Sequence, residues 1–261
     1  MDNNMILKTA LRQSAYDCCC APEDFVAAHN STHVSAPSDR ARRYLELPHI
    51  CNLVSYGTNV VVTGQKELLP EIERFLESVP AVEHCFETPG LYPLNRILEK
   101  AGARICFMAD YFLPDIDAVF GYDQRCAYEL KVMEAPEFAQ LYLPEWKNAL
   151  CADRKHLDRL AVGAFYRGEL IGLAGCSADC DTMWQIGVDV LPAYRKQGIA
   201  SALTNRLARE TFERGLVPFY CAAWSNVKSV KNAIRSGFRP GWVEATAKRD
   251  DYIEKMLKKD V

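Results

Sequence analysis

The sequence predicts an α/β protein. A central mixed, mostly antiparallel sheet flanked by helices fills its second half, and a smaller α/β layer precedes it. Three observations predict this. Residues 160–166 and 169–177 are apolar runs joined by Arg167-Gly168, a good hairpin turn. Residues 183–190 form a neighbouring strand-like run that leads through a short polar loop into a helical period at 199–214. In the first third, strand-like and helical runs alternate, as in a layered α/β unit.

From the start of the chain, Ala21-Pro22-Glu23-Asp24-Phe25 reads as a helix start, with proline just inside it and acids in the first turn. Residues 59–63 are a β-branched run between Gly57 and Gly64, which suggests a buried strand. Residues 66–79 place Leu68, Leu69, Ile72, Phe75, Leu76 and Val79 at helical spacing. Residues 91–101 are a second amphipathic stretch closed by Gly102, 104–108 a strand, and 113–117 the way out of this layer.

In the second half, 127–132 reads as a strand, and 136–142 and 144–151 as short helices with proline near their starts. The hairpin and the 183–190 strand follow. Helix 199–214 carries Leu203, Leu207, Ala208, Thr211 and Phe212 on one face and stops at Gly215. Residues 217–224 are a strand. A helix begins at Ser225-Asn226, carries Val227, Val230, Ala233 and Ile234, and stops at Gly237; 241–248 is the last strand. The expected domains are 1–122 and 123–261.

A chain of 261 residues suits one large domain or two ordinary ones. A net charge of −3 and a pI near 6.0 give no sign of a nucleic-acid or anionic-membrane partner. No apolar run approaches the roughly 18 residues needed to cross a bilayer. The opening Met1-Asp2-Asn3-Asn4 lacks a basic region followed by an apolar one, so no secretory signal is expected. Eleven cysteines, an odd number, then fit reduced thiols in a cytoplasmic protein better than a disulfide framework.

No metal site is expected. The adjacent side chains of Cys18-Cys19-Cys20 cannot easily converge on one tetrahedral ion, and Cys176 and Cys180 have no second pair. His29 and His33 are four apart, but Asn30, Ser31 and Thr32 between them read as loop.

The most informative stretch is 184–238. Its strand ends in Ala193-Tyr194-Arg195-Lys196-Gln197-Gly198-Ile199-Ala200, a loop entering a helix. The first turn of a helix has N–H groups without intrahelical partners, and its dipole favours an anion. Gly198 lets the backbone approach a ligand closely, Ala200 keeps the next position small, and Arg195 and Lys196 add positive charge. The junction is suited to a pyrophosphate.

In this order of elements, Arg195-x-x-Gly198-x-Ala200 and the later Asn226-x-x-Ser229…Gly237-Phe238 resemble the GNAT acetyltransferase superfamily over roughly residues 125–261. The whole chain is similar to a subgroup with a long N-terminal extension, and a degenerate second GNAT-like unit is one reading of that extension. The resemblance implies that acyl-CoA pairs its pantetheine arm with exposed backbone of Val188, Asp189 and Val190. Lys196, Gln197, Gly198, Ile199, Ala200 and Ser201, with Arg195 beside them, would cradle its pyrophosphate. Asn226 and Ser229 would lie near the arm, although Asn226 also reads as a plain helix cap.

The implied reaction is acetyl transfer from acetyl-CoA to a primary amine of a small molecule or protein, by direct attack in a ternary complex. A backbone N–H at or near Val190 would polarise the thioester, and proton transfers would assist.

The chain departs from familiar members where they carry their acid and base. The corresponding positions hold Trp184, Cys221 and Ala233, none of them an acid or a tyrosine. Three readings stay open: water carries the amine's proton away; another residue such as Asp181, Tyr220 or Tyr194 substitutes; or the domain binds acyl-CoA without turnover. Cys221 is a weak nucleophile candidate, and a small core residue on its blander reading. Asp189 titrates beside the cofactor strand but alternation turns it away from Val188 and Val190. Trp184, Tyr220, Trp224 and Trp242 could line an acceptor pocket or simply pack. A dinucleotide-binding Rossmann fold is excluded, because the glycine loop comes late and within a hairpin-rich sheet.

Overall fold

The computed structural model describes residues 1–122 and 126–259. In chain order the elements are α1 (Asn3–Cys18), β1 (Ser31–Val34), β2 (Cys51–Ser55), β3 (Val61–Gly64), α2 (Leu69–Ser78), α3 (Thr88–Leu98), β4 (Ala103–Pro114) and α4 (Ile116–Gly121). They continue with β5 (Glu129–Glu134), β6 (Asp158–Tyr166), β7 (Glu169–Ser177), β8 (Met183–Val190), α5 (Ile199–Glu213), β9 (Val217–Ala223), α6 (Val227–Arg235), β10 (Phe238–Arg249) and α7 (Asp250–Lys259). Short 3₁₀ turns link several of them.

The chain forms two compact units. One comprises Met1–Thr9 and Tyr111–Pro240, the other Ala10–Asp110 and Gly241–Val261. The divisions therefore fall inside α1, β4 and β10. The expected division between 122 and 123 lies at the edge of the described residues. The contacts also group 241–261 with Ala10–Asp110.

In the Tyr111–Pro240 unit the strand order is β4-β9-β8-β7-β6-β5. β5 through β8 are antiparallel neighbours and β9 runs parallel to β8, which makes the sheet mixed and mostly antiparallel, as the sequence predicts. Arg167 and Gly168 make the β6–β7 turn, both at positive φ. Ile199, Leu203, Leu207 and Ala208 of α5 are buried with Leu160, Val162, Ile171, Ala174 and Ile186 of the sheet. Phe138, Trp146, Ala149 and Leu150 cover a separate cluster with Met133, Ala161 and Leu173. Alternation along the strands puts these two clusters on opposite faces.

In the other unit the order is β1-β3-β2-β10-β4, with β1 parallel to β3 and β2 antiparallel to both β3 and β10. Ile72, Phe75, Leu94 and Leu98 of α2 and α3 pack on Leu53, Val62 and Ala245. Beside this core lies a buried ionic cluster. Arg42 donates from Nε to Asp17 Oδ2 and from Nη2 to Glu244 Oε1, both at 2.5 Å, and the three side chains are 3%, 1% and 5% exposed.

Several expectations in the first third need correction. Residues 21–25 form the 3₁₀ turn Pro22–Val26, not an α-helix. Ser31 and Thr32 are strand, not loop, because a short polar run gains its ladder from β3. The short helices expected at 136–142 and 144–151 are the 3₁₀ turns Ala135–Phe138 and Pro144–Trp146. α1, β1, β2, α4 and α7 are elements the sequence reading did not anticipate.

Candidate functional site

β8 and β9 pair at Met183–Val217, Trp184–Pro218, Gln185–Phe219 and Ile186–Tyr220. Among the described residues no further pair joins them, although β8 runs on to Val190 and β9 to Ala223. β8 meanwhile keeps β7 on its other side as far as Val190. The two parallel strands therefore part after Ile186 and Tyr220.

The register shows which backbone groups the parting exposes. Leu191 N–H donates to Ile171 O at 3.0 Å, and β7–β8 pairs alternate between bonded and non-bonded types. Asp189 then bonds to Leu173 of β7, while Val188 turns its N–H and C=O toward the gap and Val190 its N–H, the Val190 carbonyl being taken by Arg195. Of the three expected backbone partners, two face the gap and Asp189 does not.

The Asp189 side chain is also engaged. It accepts from Asn148 N–H at 2.8 Å, Asn148 Nδ2 at 2.6 Å and Ala149 N–H at 3.0 Å. The 148–149 segment can reach it because Gly187 has no side chain; a Cβ there would lie 1.9 Å from Asn148 O. These contacts hold the unpaired half of β8 in place. The mid-strand glycine was the only trace of them in the sequence.

Beyond β8, Arg195 Nε donates to Val190 O at 2.9 Å, folding the loop back on the strand. Lys196 and Gly198 both adopt left-handed φ, 65° and 80°, and α5 starts at Ile199. Its first helical bond runs from Ala202 N–H to Gly198 O, and no side chain caps its start. The N–H groups of Ile199, Ala200 and Ser201 thus have no intrahelical partner. A Cβ on Gly198 would meet nothing within 4 Å, so the space beside Gly198 is open.

Tyr128 OH donates to Gln197 Oε1 at 2.5 Å, and the rings of Tyr128, Tyr166 and Tyr194 lie 5.7–6.2 Å apart around it. Converging N–H donors, a helix N-terminus and the exposed Arg195 and Lys196 fit a pyrophosphate. Ile199 and Ser201 fit through their backbone alone: the Ile199 side chain is core, and Ser201 Oγ donates to Asn232 Oδ1 at 3.2 Å.

Asn226 caps α6 by accepting from Ser229 N–H at 3.2 Å. Ser229 Oγ lies 2.8 Å from Tyr220 OH, at the last paired position of β9. Burial raises the Tyr220 phenol above its ordinary pKa, and hydrogen bonds to Ser229 and Asn232 oppose that rise. Cys221, half-buried, is the next residue along. Asp181 lies in the turn before β8, on the order of 25 Å of strand from Val190, so it is not gathered with the others.

The four aromatic residues do not form one lining. Trp184 packs on the core and Trp224 is 61% exposed. Trp242 is core in the other unit, stacked on Tyr56 and donating to Glu244.

Residues 125–238 match the Acetyltransferase (GNAT) family. This stretch is a GNAT-family domain. The family supports an acyl-transfer function in general. Similar solved structures include a GCN5-related N-acetyltransferase-like protein from Streptococcus suis 89/1591, at 19% identity and TM-score 0.44, covering 60% of this chain and 69% of that one. Another is a GCN5-related N-acetyltransferase from Kribbella flavida, at 17% identity and TM-score 0.47, covering 62% and 64%. A tandem GNAT protein from the clavulanic acid biosynthesis pathway matches at 16% identity and TM-score 0.44, covering 66% and 60%. The chain thus spans about two thirds of the length of these proteins. No curated protein matches it. Among the described residues no helix is long and apolar enough to cross a membrane.

Proposed function

We propose that the GNAT domain transfers an acetyl group from acetyl-CoA to a primary amine, by direct attack within a ternary complex. The observation that carries this reading is the parting of β8 and β9 beside the uncapped start of α5. One end of that arrangement offers unpaired backbone to an amide-bearing arm, and the other offers N–H donors to a pyrophosphate.

Acetyl-CoA supplies an activated thioester, and a neutral amine attacks its carbonyl carbon. Val188 and Val190 hold the pantetheine arm through their main chain. The N–H groups from Gln197 to Ser201, with Arg195 and Lys196, hold the pyrophosphate. Tyr220 donates its hydroxyl proton to the departing thiolate and regains one through Ser229. The amine's proton leaves through water, because Asp189 is bound to the 148–149 segment and Asp181 is at the wrong end of β8.

A second reading, a non-catalytic acyl-CoA-binding module, is favoured by that same lack of a placed carboxylate. Free-thiol release from acetyl-CoA, followed over a panel of small amines and amine-bearing peptides, separates the two. The enzyme reading expects release above the protein-free rate with at least one amine, abolished in Gly198→Leu. Binding of acetyl-CoA without release from any amine would establish the module instead.

A further inference from the structure

We propose that Cys20, Asp24 and His33 form a binding site for a divalent transition-metal ion of the zinc class, in the unit that contains Ala10–Asp110. One thiol sulfur, one carboxylate oxygen and one imidazole nitrogen lie within 4.8 Å of one another. His33 Nε2 and Asp24 Oδ2 are 3.5 Å apart. Tetrahedral zinc, with bonds of about 2.0–2.3 Å, places its ligand atoms roughly 3.3–3.8 Å apart. The nitrogen and oxygen already stand at that spacing, and the sulfur needs to close by about 1 Å at most. A mixed set of sulfur, nitrogen and oxygen donors suits zinc-class ions and not calcium or magnesium.

The fold explains how adjacent cysteines come to diverge. α1 ends at Cys18, and Cys19 takes a left-handed φ of 57°, which L-residues other than glycine seldom adopt. Cys18 is buried. Cys19 Sγ exchanges hydrogen bonds with the backbone of Ala36 at 3.4 and 3.5 Å. Only Cys20 is delivered to the cluster. The left-handed Cys19 closes α1, with Cys20 N–H donating to Ala15 O at 3.1 Å.

The other two ligands are held in place as well. Ala21 N–H donates to Asp24 Oδ2 at 2.8 Å, fixing the carboxylate on the Pro22–Val26 turn. His33 sits on β1, paired opposite Thr63, and its Nε2 exchanges the 3.1 Å contact with Ser31 Oγ for the ion. All three side chains are half-buried, so an ion can reach them and a water can complete the fourth position. On binding, the thiol proton passes to solvent and the sulfur lone pair to the ion. The ion would tie the end of α1, the Pro22–Val26 turn and β1 together.

Cobalt(II), titrated into the reduced, metal-stripped full chain, is the test. The expected result is saturation at one equivalent with a thiolate-to-cobalt charge-transfer band, displaced by zinc. Cys20→Ser loses the band, and Asp24→Asn and His33→Ala weaken binding at least tenfold. Cys106→Ser, on β4 and outside the cluster, behaves as the parent. Circular dichroism confirms that each variant is folded. No band in the parent at excess cobalt, a band retained in Cys20→Ser, or parent-like affinity in both folded Asp24→Asn and His33→Ala would overturn the proposal.

Discussion

The strand gap of the Tyr111–Pro240 unit and the ionic cluster of the other treat polar groups in opposite ways. The Tyr111–Pro240 unit leaves backbone donors and acceptors open: strands β8 and β9 part, the loop after β8 takes left-handed conformations, and nothing caps α5. The other unit closes its most expensive groups off. Asp17, Arg42 and Glu244 are almost wholly buried, and Trp242 adds a further donor to Glu244. Unpaired backbone at a surface is cheap because water serves it until a ligand comes, whereas a buried charge must find its partner within the fold. Open polar groups in the gap therefore point to binding, and closed ones in the ionic cluster to structure.

The largest effect that bears on this contrast is in the closed cluster. Arg42→Ala strands two buried carboxylates and is expected to cost about 3–5 kcal/mol in urea denaturation. A loss below about 1 kcal/mol would mean that the cluster is not closed as described.

His49 sharpens the same point. It is 4% exposed, its Nε2 has no hydrogen-bond partner among the described residues, and burial lowers its pKa from 6.5 to about 4. Between those values the unfolded chain takes up a proton that the folded chain refuses. Stability is therefore complete above pH 6.5 and falls as pH drops toward 4, by roughly 3 kcal/mol in total. His49→Leu should remove that part of the slope between pH 7 and 4.5; an unchanged slope would assign the acid sensitivity to other groups.

In the open unit, Tyr220→Phe keeps the ring in the core but removes the hydroxyl. Thiol release should fall about tenfold, roughly 1.4 kcal/mol of barrier, with the KM for acetyl-CoA unchanged. An unaltered rate would take Tyr220 out of the chemistry.

The open unit was the more legible in the sequence, for a physical reason. Its strands are long and bounded by glycine and hairpin turns, and its helices carry regular apolar faces, so β6, β7, β8, α5 and α6 fall within a residue or two of expectation. The loop entering α5 was legible because Gly198 supplies a left-handed φ at a fixed offset from a strand. The parting of β8 from β9 was expected through the family resemblance alone, since a strand pattern does not show where its pairing stops. The first third hid more. β1 and β2 are four and five residues long and take their identity from neighbours distant in sequence, and β1 is largely polar. The Cys20, Asp24 and His33 cluster was likewise invisible, because a left-handed turn and a strand pairing bring it together, not a repeated spacing.

The most direct test of the account is calorimetric titration of acetyl-CoA into the parent protein and Gly198→Leu. A leucine Cβ meets open space, so the variant should stay folded, at a cost of about 1–2 kcal/mol for the left-handed φ. The account predicts micromolar binding in the parent and at least a hundredfold loss, about 3 kcal/mol, in the variant. Equal affinity in the two proteins would contradict the placement of the pyrophosphate at the start of α5.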